Sequence, residues 1–170
     1  MKELILGGVR SGKSRLAEQH ALATGLPVTY IATATAEDEE MRVRIAHHQA
    51  HRPAQWYLIE EPIALAAALQ KIARKDHCIL VDCLTLWLTN LLCVENETRM
   101  QQEVSALLQT LPDLPGHIIL VSNETGMGVV PLGELTRRYC DEAGRLHQAL
   151  ALSCERVILT VAGLPLHLKG

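Results

Sequence analysis

An α/β fold, a mostly parallel sheet with helices on both faces, is what this sequence predicts, and three observations predict it. Short apolar runs alternate with helical patterns along the whole chain. One strand-to-helix junction, Gly7-Gly8-Val9-Arg10-Ser11-Gly12-Lys13-Ser14, fits G-x-x-x-x-G-K-[ST]. At 170 residues, 48% of them hydrophobic, the chain suffices for one domain, residues 1–170, with a large core. The class expected is therefore α/β, P-loop NTPase-like of the RecA-like kind.

Each element has its own signal. Lys2 to Leu6 predicts a short buried strand, and Arg15 to Ala23 a helix of good formers. Val28 to Ala32 is a second strand, set off by Gly25 and Pro27. A highly charged helix is expected from about Ala36 to His51, closed by Pro53. Trp56 to Ile59 predicts a third strand, and Ile63 to Arg74 an Ala/Leu helix with Pro62 at its start. Cys78 to Asp82 is the fourth strand. Leu84 to Leu111 predicts two helices broken near Asn96. Ile118 to Ser122 is the fifth strand, a helix runs from about Leu132 to Leu152, and Arg156 to Val161 is the last strand predicted. With no Phe and 3% aromatic residues, the core has to be built from Leu, Ala, Val and Ile.

The glycine-bearing junction carries the clearest chemistry. Glycines let successive backbone N–H groups turn into one concavity, and the following helix adds its partial positive charge, so the loop cradles phosphates. Lys13 is expected to reach the β- and γ-phosphates and the Ser14 hydroxyl to hold Mg²⁺. Asp82 ends a four-residue apolar strand, which suits either a Walker B acid supporting that Mg²⁺ or a cap for the next helix. Glu60 and Glu61 follow another strand as weaker candidates, either ligand contacts or a solvated loop.

On the charged helix, Glu40, Arg44, His47 and His51 share one stripe, while Met41, Ile45 and His48 lie on the next. Three uses remain open for these histidines: a solvated face, metal binding through the His47/His51 pair, or nucleophilic attack at phosphorus by neutral imidazole. A loop from Ser122 to Pro131, with Gly126 and Gly128, follows the fifth strand. It is either a long surface turn or a ligand contact at the carboxyl ends of the strands. The stripe Glu134, Arg138, Asp141, Arg145 and Gln148, with Arg137 beside it, suits a solvated face, an anionic pocket or a subunit contact.

Composition narrows the function. A net charge of −3 offers no basic footprint, which speaks against nucleic acid as a partner. Five cysteines without C-x-x-C suit reduced thiols and argue against a disulfide framework or a zinc site. No signal peptide is expected, because the first apolar run is the strand entering the phosphate loop, and no stretch is long enough to span a membrane. The expectation is a soluble cytoplasmic domain. A GTP-dependent switch would need N-K-x-D, and after the fifth strand the chain has Ser122-Asn123-Glu124-Thr125. A kinase acting on one small molecule would use the phosphate loop and Asp82 but leave the histidine helix without a role.

Together these segments resemble the bifunctional adenosylcobinamide kinase/adenosylcobinamide-phosphate guanylyltransferase family of cobalamin biosynthesis. The resemblance runs nearly the whole length. It is carried by Gly7–Ser14, Tyr30-Ile31-Ala32-Thr33, Arg44 to His48, Arg52-Pro53, Asp82-Cys83-Leu84-Thr85 with Thr89 to Leu92, Asn123 to Pro131, and then Arg137, Asp141, Gly144, Arg145 and Gln148. Two positions depart from it: Asp82 where some relatives have Glu, and His147 where Asn is common, which leaves the role of His147 open. The resemblance implies two reactions. A nucleoside triphosphate, ATP or GTP, phosphorylates adenosylcobinamide; GTP then gives GMP to that phosphate, releasing pyrophosphate and leaving adenosylcobinamide-GDP. It implies His47 as the guanylylated residue. It implies nucleotide contacts from Gly7, Gly8, Val9, Arg10, Ser11, Gly12, Lys13, Ser14, Ala32, Thr33, Ala34, His48, Gln49, Ala50, His51, Glu60 and Asp82. A homotrimer with its active site between subunits is also implied.

Overall fold

A computed structural model describes residues 1–34, 53–94 and 96–170. The expected histidine helix therefore lies outside the described residues. The rest alternates as predicted: β1 (Lys2–Gly7), α1 (Lys13–Ala23), β2 (Val28–Ala32), β3 (Tyr57–Glu60), α2 (Leu65–Ile72), β4 (Cys78–Asp82), α3 (Leu84–Cys93), α4 (Glu97–Thr110), β5 (His117–Asn123), α5 (Glu134–Ser153), β6 (Arg156–Val161) and β7 (Leu164–Lys169). The break between α3 and α4 falls where expected. Asn96 caps α4, its side chain accepting a hydrogen bond from Arg99 N at 2.9 Å.

The strands form one sheet in the order β3-β2-β4-β5-β1-β6-β7. All pairings are parallel except β6 with β7. From β1 the chain crosses to β2 on one side, and from β5 it crosses to β6 on the other. The strand order thus reverses beside the carboxyl end of β1, which is where open α/β sheets bind ligands.

Strands buried on both faces need apolar residues at consecutive positions, and these have them. Leu4, Leu6, Ile79, Val81, Ile118 and Leu120 point to one face, where Leu65, Leu84, Trp87, Leu91, Leu107 and Leu150 cover them from α2 to α5. Ile5, Tyr30, Leu80, Ile119 and Val121 point to the other, against Ala17 and Ala21 of α1 and against Trp56. Ala17 and Ala21 stand one turn apart, so α1 lies close on the sheet. The core is aliphatic, as the missing Phe requires, with the addition of two tryptophans. Trp87 is fully buried and its indole N–H donates to Ile63 O at 2.7 Å.

Two differences from the expected elements have clear causes. Trp56 precedes β3 instead of opening it, because its ring is needed in the core while Tyr57 and Leu58 are exposed. β7 was not predicted at all. Pro165 interrupts its alternation, and a proline is tolerated there because β7 is an edge strand.

At the amino end of the sheet, Glu3 is buried on β1 between His20 Nδ1 (2.7 Å), His117 Nε2 (2.6 Å) and Arg156 (3.3 Å). Burial pushes its carboxyl up, but the bonds to His117 and His20 outweigh this and hold it at about 2. A carboxylate depressed in the folded state contributes stability that is complete above its ordinary 4.5 and lost as the pH falls through about 2. That shift corresponds to about 3 kcal/mol. Glu3→Gln should remove most of it at neutral pH and flatten the acid limb. Denaturant unfolding at pH 7 and pH 3 checks this; an unchanged midpoint at pH 7 would contradict it.

Candidate active site

The phosphate loop closes on itself as its glycines allow. Ser11 N donates to Gly8 O at 3.2 Å, Arg10 takes a left-handed φ of 55°, and Gly12, at φ 95°, immediately precedes α1. A side chain at Gly7 would fall against Ser11 Oγ and within 2.7 Å of Thr160 O. The β6–β7 turn braces the loop from outside, Gly163 N donating to Ser11 O at 2.8 Å. Leu16 N is the first α1 amide bonded back, to Gly12 O, so the first-turn N–H groups are available to an anion. Lys13 opens α1 and donates from Nζ to Gly8 O at 3.2 Å. Burial lowers its pKa, against the opposing pull of Asp82.

Asp82 and Ala32 end neighbouring strands in register, and Ala32 is paired in turn with Glu60. The capping alternative for Asp82 does not hold: Cys83 occupies the cap position of α3, and no side chain caps that helix. Ser14, half-buried in the first turn of α1, and Asp82 supply a hydroxyl and a carboxylate oxygen. Among the described residues no group of three or more His, Cys, Asp or Glu could hold a metal. Mg²⁺ asks for only one or two protein oxygens beside phosphates and water, so this donor set fits it.

The other sequence-predicted residues divide. Thr33 is buried and its hydroxyl is spent inside the protein, donating to Cys83 O (2.6 Å) and accepting from Cys83 N (3.0 Å). Asn90 Nδ2 donates to Thr33 O and Pro62 O, tying α3 to the ends of β2 and β3. Ala34 is half-buried beside them, whereas Glu60 is exposed at the end of the edge strand β3. Glu61 Oε1 accepts from Ile63 N and Ala64 N and so caps the entry to α2. Gly8, Val9 and Arg10 are exposed on the loop. His47, His48, Gln49, Ala50 and His51 lie outside the described residues. The Glu134–Gln148 stripe is largely exposed; Arg138 pairs with Glu97, and Arg145 with Glu142 at 2.5 Å.

A model for the cobinamide kinase / cobinamide phosphate guanyltransferase family matches residues 3–168. The chain belongs to that family.

Its relatives there include the bifunctional adenosylcobalamin biosynthesis protein CobP of Pseudomonas aeruginosa, 65% identical over 170 residues, covering 100% of this chain and 98% of that one. The CobU proteins of Salmonella typhimurium and Escherichia coli, described in the same words, are 39% and 36% identical, each covering 99% of this chain and 100% of theirs. Two solved structures share the fold alone. RadB recombinase superposes with a TM-score of 0.54 at 20% identity, covering 93% of this chain and 73% of its own. A Pyrococcus horikoshii OT3 protein superposes with 0.57 at 10% identity, covering 99% and 86%. The RecA-like P-loop class is thus the fold observed. As a member of the cobinamide kinase / cobinamide phosphate guanyltransferase family, the chain is a bifunctional transferase of cobalamin nucleotide-loop assembly.

The structure also joins polar residues that the sequence named only separately, beside the carboxyl end of β5. Ser122 is buried at the end of β5 and meets His147 Nε2 at 2.8 Å. Thr85 Oγ1 accepts from Asn123 N at 2.7 Å. Glu124 N donates to Gly7 O at 3.0 Å, fastening the loop after β5 to the phosphate loop. No signal within the sequence pairs these residues, since 25 positions separate Ser122 from His147.

Proposed function

We propose that one catalytic domain spanning residues 1–170 performs both transfers at a single nucleotide site on the carboxyl edge of the sheet. The observation that carries this reading is Lys13, held in a closed phosphate loop and subject to the charge of Asp82, in a chain of this family. In the first reaction the hydroxyl of adenosylcobinamide attacks the γ-phosphorus of ATP or GTP. In the second, a ring nitrogen of His47 attacks the α-phosphorus of GTP; a P–N bond forms, the bridging P–O bond breaks and pyrophosphate leaves. A phosphate oxygen of adenosylcobinamide phosphate then attacks the same phosphorus and breaks the P–N bond, which frees His47 and gives adenosylcobinamide-GDP.

Roles follow from chemistry. Gly7, Gly8, Val9, Arg10, Ser11 and Gly12 offer backbone N–H groups and shape to the phosphates, and Lys13 stabilises charge on the β- and γ-oxygens in both reactions. Ser14 and Asp82 would hold Mg²⁺, which when bound supplies further positive charge to the phosphate oxygens. Ala32, Thr33, Ala34, His48, Gln49, Ala50, His51 and Glu60 contact the nucleotide; for Thr33 this contact comes from its backbone, since its hydroxyl is engaged with Cys83. Met127, Val129, Val130, Leu132 and Leu135 stand exposed after β5. An apolar surface of that kind suits a subunit contact, and we infer a homotrimer with the site between subunits. Among the described residues no helix is long and apolar enough to cross a membrane.

The reading is tested by supplying purified protein with adenosylcobinamide and ATP, then with adenosylcobinamide phosphate and GTP. Both products should appear, and failure of either transfer would refute it. Asp82 gives a second check. Asp82→Glu should keep more activity than Asp82→Asn, because charge matters to the metal more than side-chain length. In Asp82→Asn the Mg²⁺ concentration for half-maximal rate should rise about tenfold or more. A titration curve matching the parent's would remove Asp82 from the metal site.

A further inference from the structure

Phosphorylating a hydroxyl requires that its proton go somewhere, and neither the phosphate loop nor Lys13 can take it. Four carboxylates among the described residues stand at the carboxyl ends of the parallel strands. Glu60 ends β3, four strands from β1, which is roughly 19 Å at the usual strand spacing. Glu61 follows the same edge strand, just as far from β1, and its Oε1 accepts from Ile63 N and Ala64 N ahead of α2. Asp82 ends β4, its charge raises the pKa of Lys13, and it is the carboxylate assigned above to the metal. Glu124 follows β5, the strand adjoining β1, and its own N–H is bonded to the first residue of the phosphate loop.

The surroundings of Glu124 fix its carboxylate without using it up. Oε1 accepts from Gly126 N at 2.5 Å, and Oε2 lies 3.8 Å from His147 Nδ1. Each carboxylate oxygen can accept two hydrogen bonds, so both keep capacity. The side chain is 20% exposed, enough for a substrate hydroxyl to reach it. Behind it, His147 is 9% exposed at its side chain, its Nε2 bonded to Ser122 Oγ, which in turn lies 3.5 Å from Thr85 Oγ1. Burial favours neutral imidazole here, against the pull of Glu124. The tautomer protonated on Nδ1 turns that proton toward the Glu124 carboxylate and leaves Nε2 to accept from Ser122 Oγ.

We propose that Glu124 is the proton acceptor of the kinase reaction and that His147, held by Ser122, is its positioning residue. The inference rests on the kinase half of the function above. As the hydroxyl oxygen forms its bond to the γ-phosphorus, the bond from that phosphorus to the β,γ-bridging oxygen breaks. The nucleoside diphosphate leaves with the electron pair, and the hydroxyl proton passes to a Glu124 oxygen and then to water. The guanylyl transfer has no hydroxyl to deprotonate, since its acceptor is already a phosphate. Glu124 should therefore matter to one reaction and not to the other.

The two transfers of the full-length protein are assayed separately, GMP transfer being measured with adenosylcobinamide phosphate supplied. Glu124→Gln keeps an acceptor for Gly126 N and removes the base. It should lower kcat for phosphorylation at least 100-fold with KM for the nucleotide within threefold, and leave GMP transfer within threefold. Glu124→Asp, which keeps a carboxylate but draws it back by one methylene, should show the same one-sided loss at smaller size. His147→Ala should lower kinase kcat about tenfold and add nothing further in the Glu124→Gln background. Equal losses in both transfers, or a kinase loss below tenfold in Glu124→Gln, would overturn the assignment of Glu124. Multiplying losses in the double variant would overturn the role of His147. The unaltered protein, run alongside, reports separately on whether the kinase reaction itself belongs to this chain.

Discussion

Lys13→Ala should lower both transfers by about 10²–10³-fold, a loss of about 3–4 kcal/mol of transition-state stabilisation in each. The reason is shared geometry. Whether attack falls on the γ-phosphorus or the α-phosphorus, negative charge accumulates on oxygens of the β- and γ-phosphates, and these are what Lys13 is placed to meet. Its location supports this use over a structural one. The ammonium has a single hydrogen bond among those described, to Gly8 O, and burial already disfavours its charged form. Removing it should therefore leave the thermal unfolding temperature within a few degrees of the parent, or raise it. Rates for the two transfers, measured with that melting curve, check the prediction. A rate within a few-fold of the parent for either transfer would show that the second reaction does not use the phosphate loop.

What was legible in the sequence and what was not follows the range of the interactions. Gly7–Ser14 could be read because a phosphate loop is a local device: glycine spacing, one lysine and one hydroxyl within eight residues. β4 and its terminal Asp82 could be read because a strand buried on both faces is a continuous apolar run with an abrupt polar end. The break at Asn96 was legible as a cap signal. Long-range polar pairing was not. Thr33 looks like a ligand contact until its hydroxyl is found on Cys83, 50 residues away, and His147 means nothing until Ser122 and Glu124 are beside it. Nothing in the sequence joins the turn at Gly163 to the phosphate loop, because β7 is an edge strand carrying a proline and lacks a clean alternation.

His47→Asn should abolish GMP transfer and leave much of the kinase reaction, and of all single changes it should separate the two activities most completely. Attack at the γ-phosphorus is direct and needs no nucleophile from the protein. Attack at the α-phosphorus through histidine divides the transfer into two in-line steps, each with a good leaving group: pyrophosphate first, imidazole second. Protein incubated with GTP labelled at the α-phosphate should therefore retain label in a P–N bond, labile in acid and stable in mild alkali, unlike a phosphoserine. Only neutral imidazole has the lone pair for attack, so labelling should decline as the pH is lowered through the range in which histidine protonates. His48→Asn should weaken nucleotide binding yet still label, because on a helix His48 falls on the stripe beside that of His47. Peptide mapping decides between them. Label on His48, His51 or a serine, or undiminished GMP transfer in His47→Asn, would falsify the intermediate and leave the second reaction to direct attack by the corrinoid phosphate.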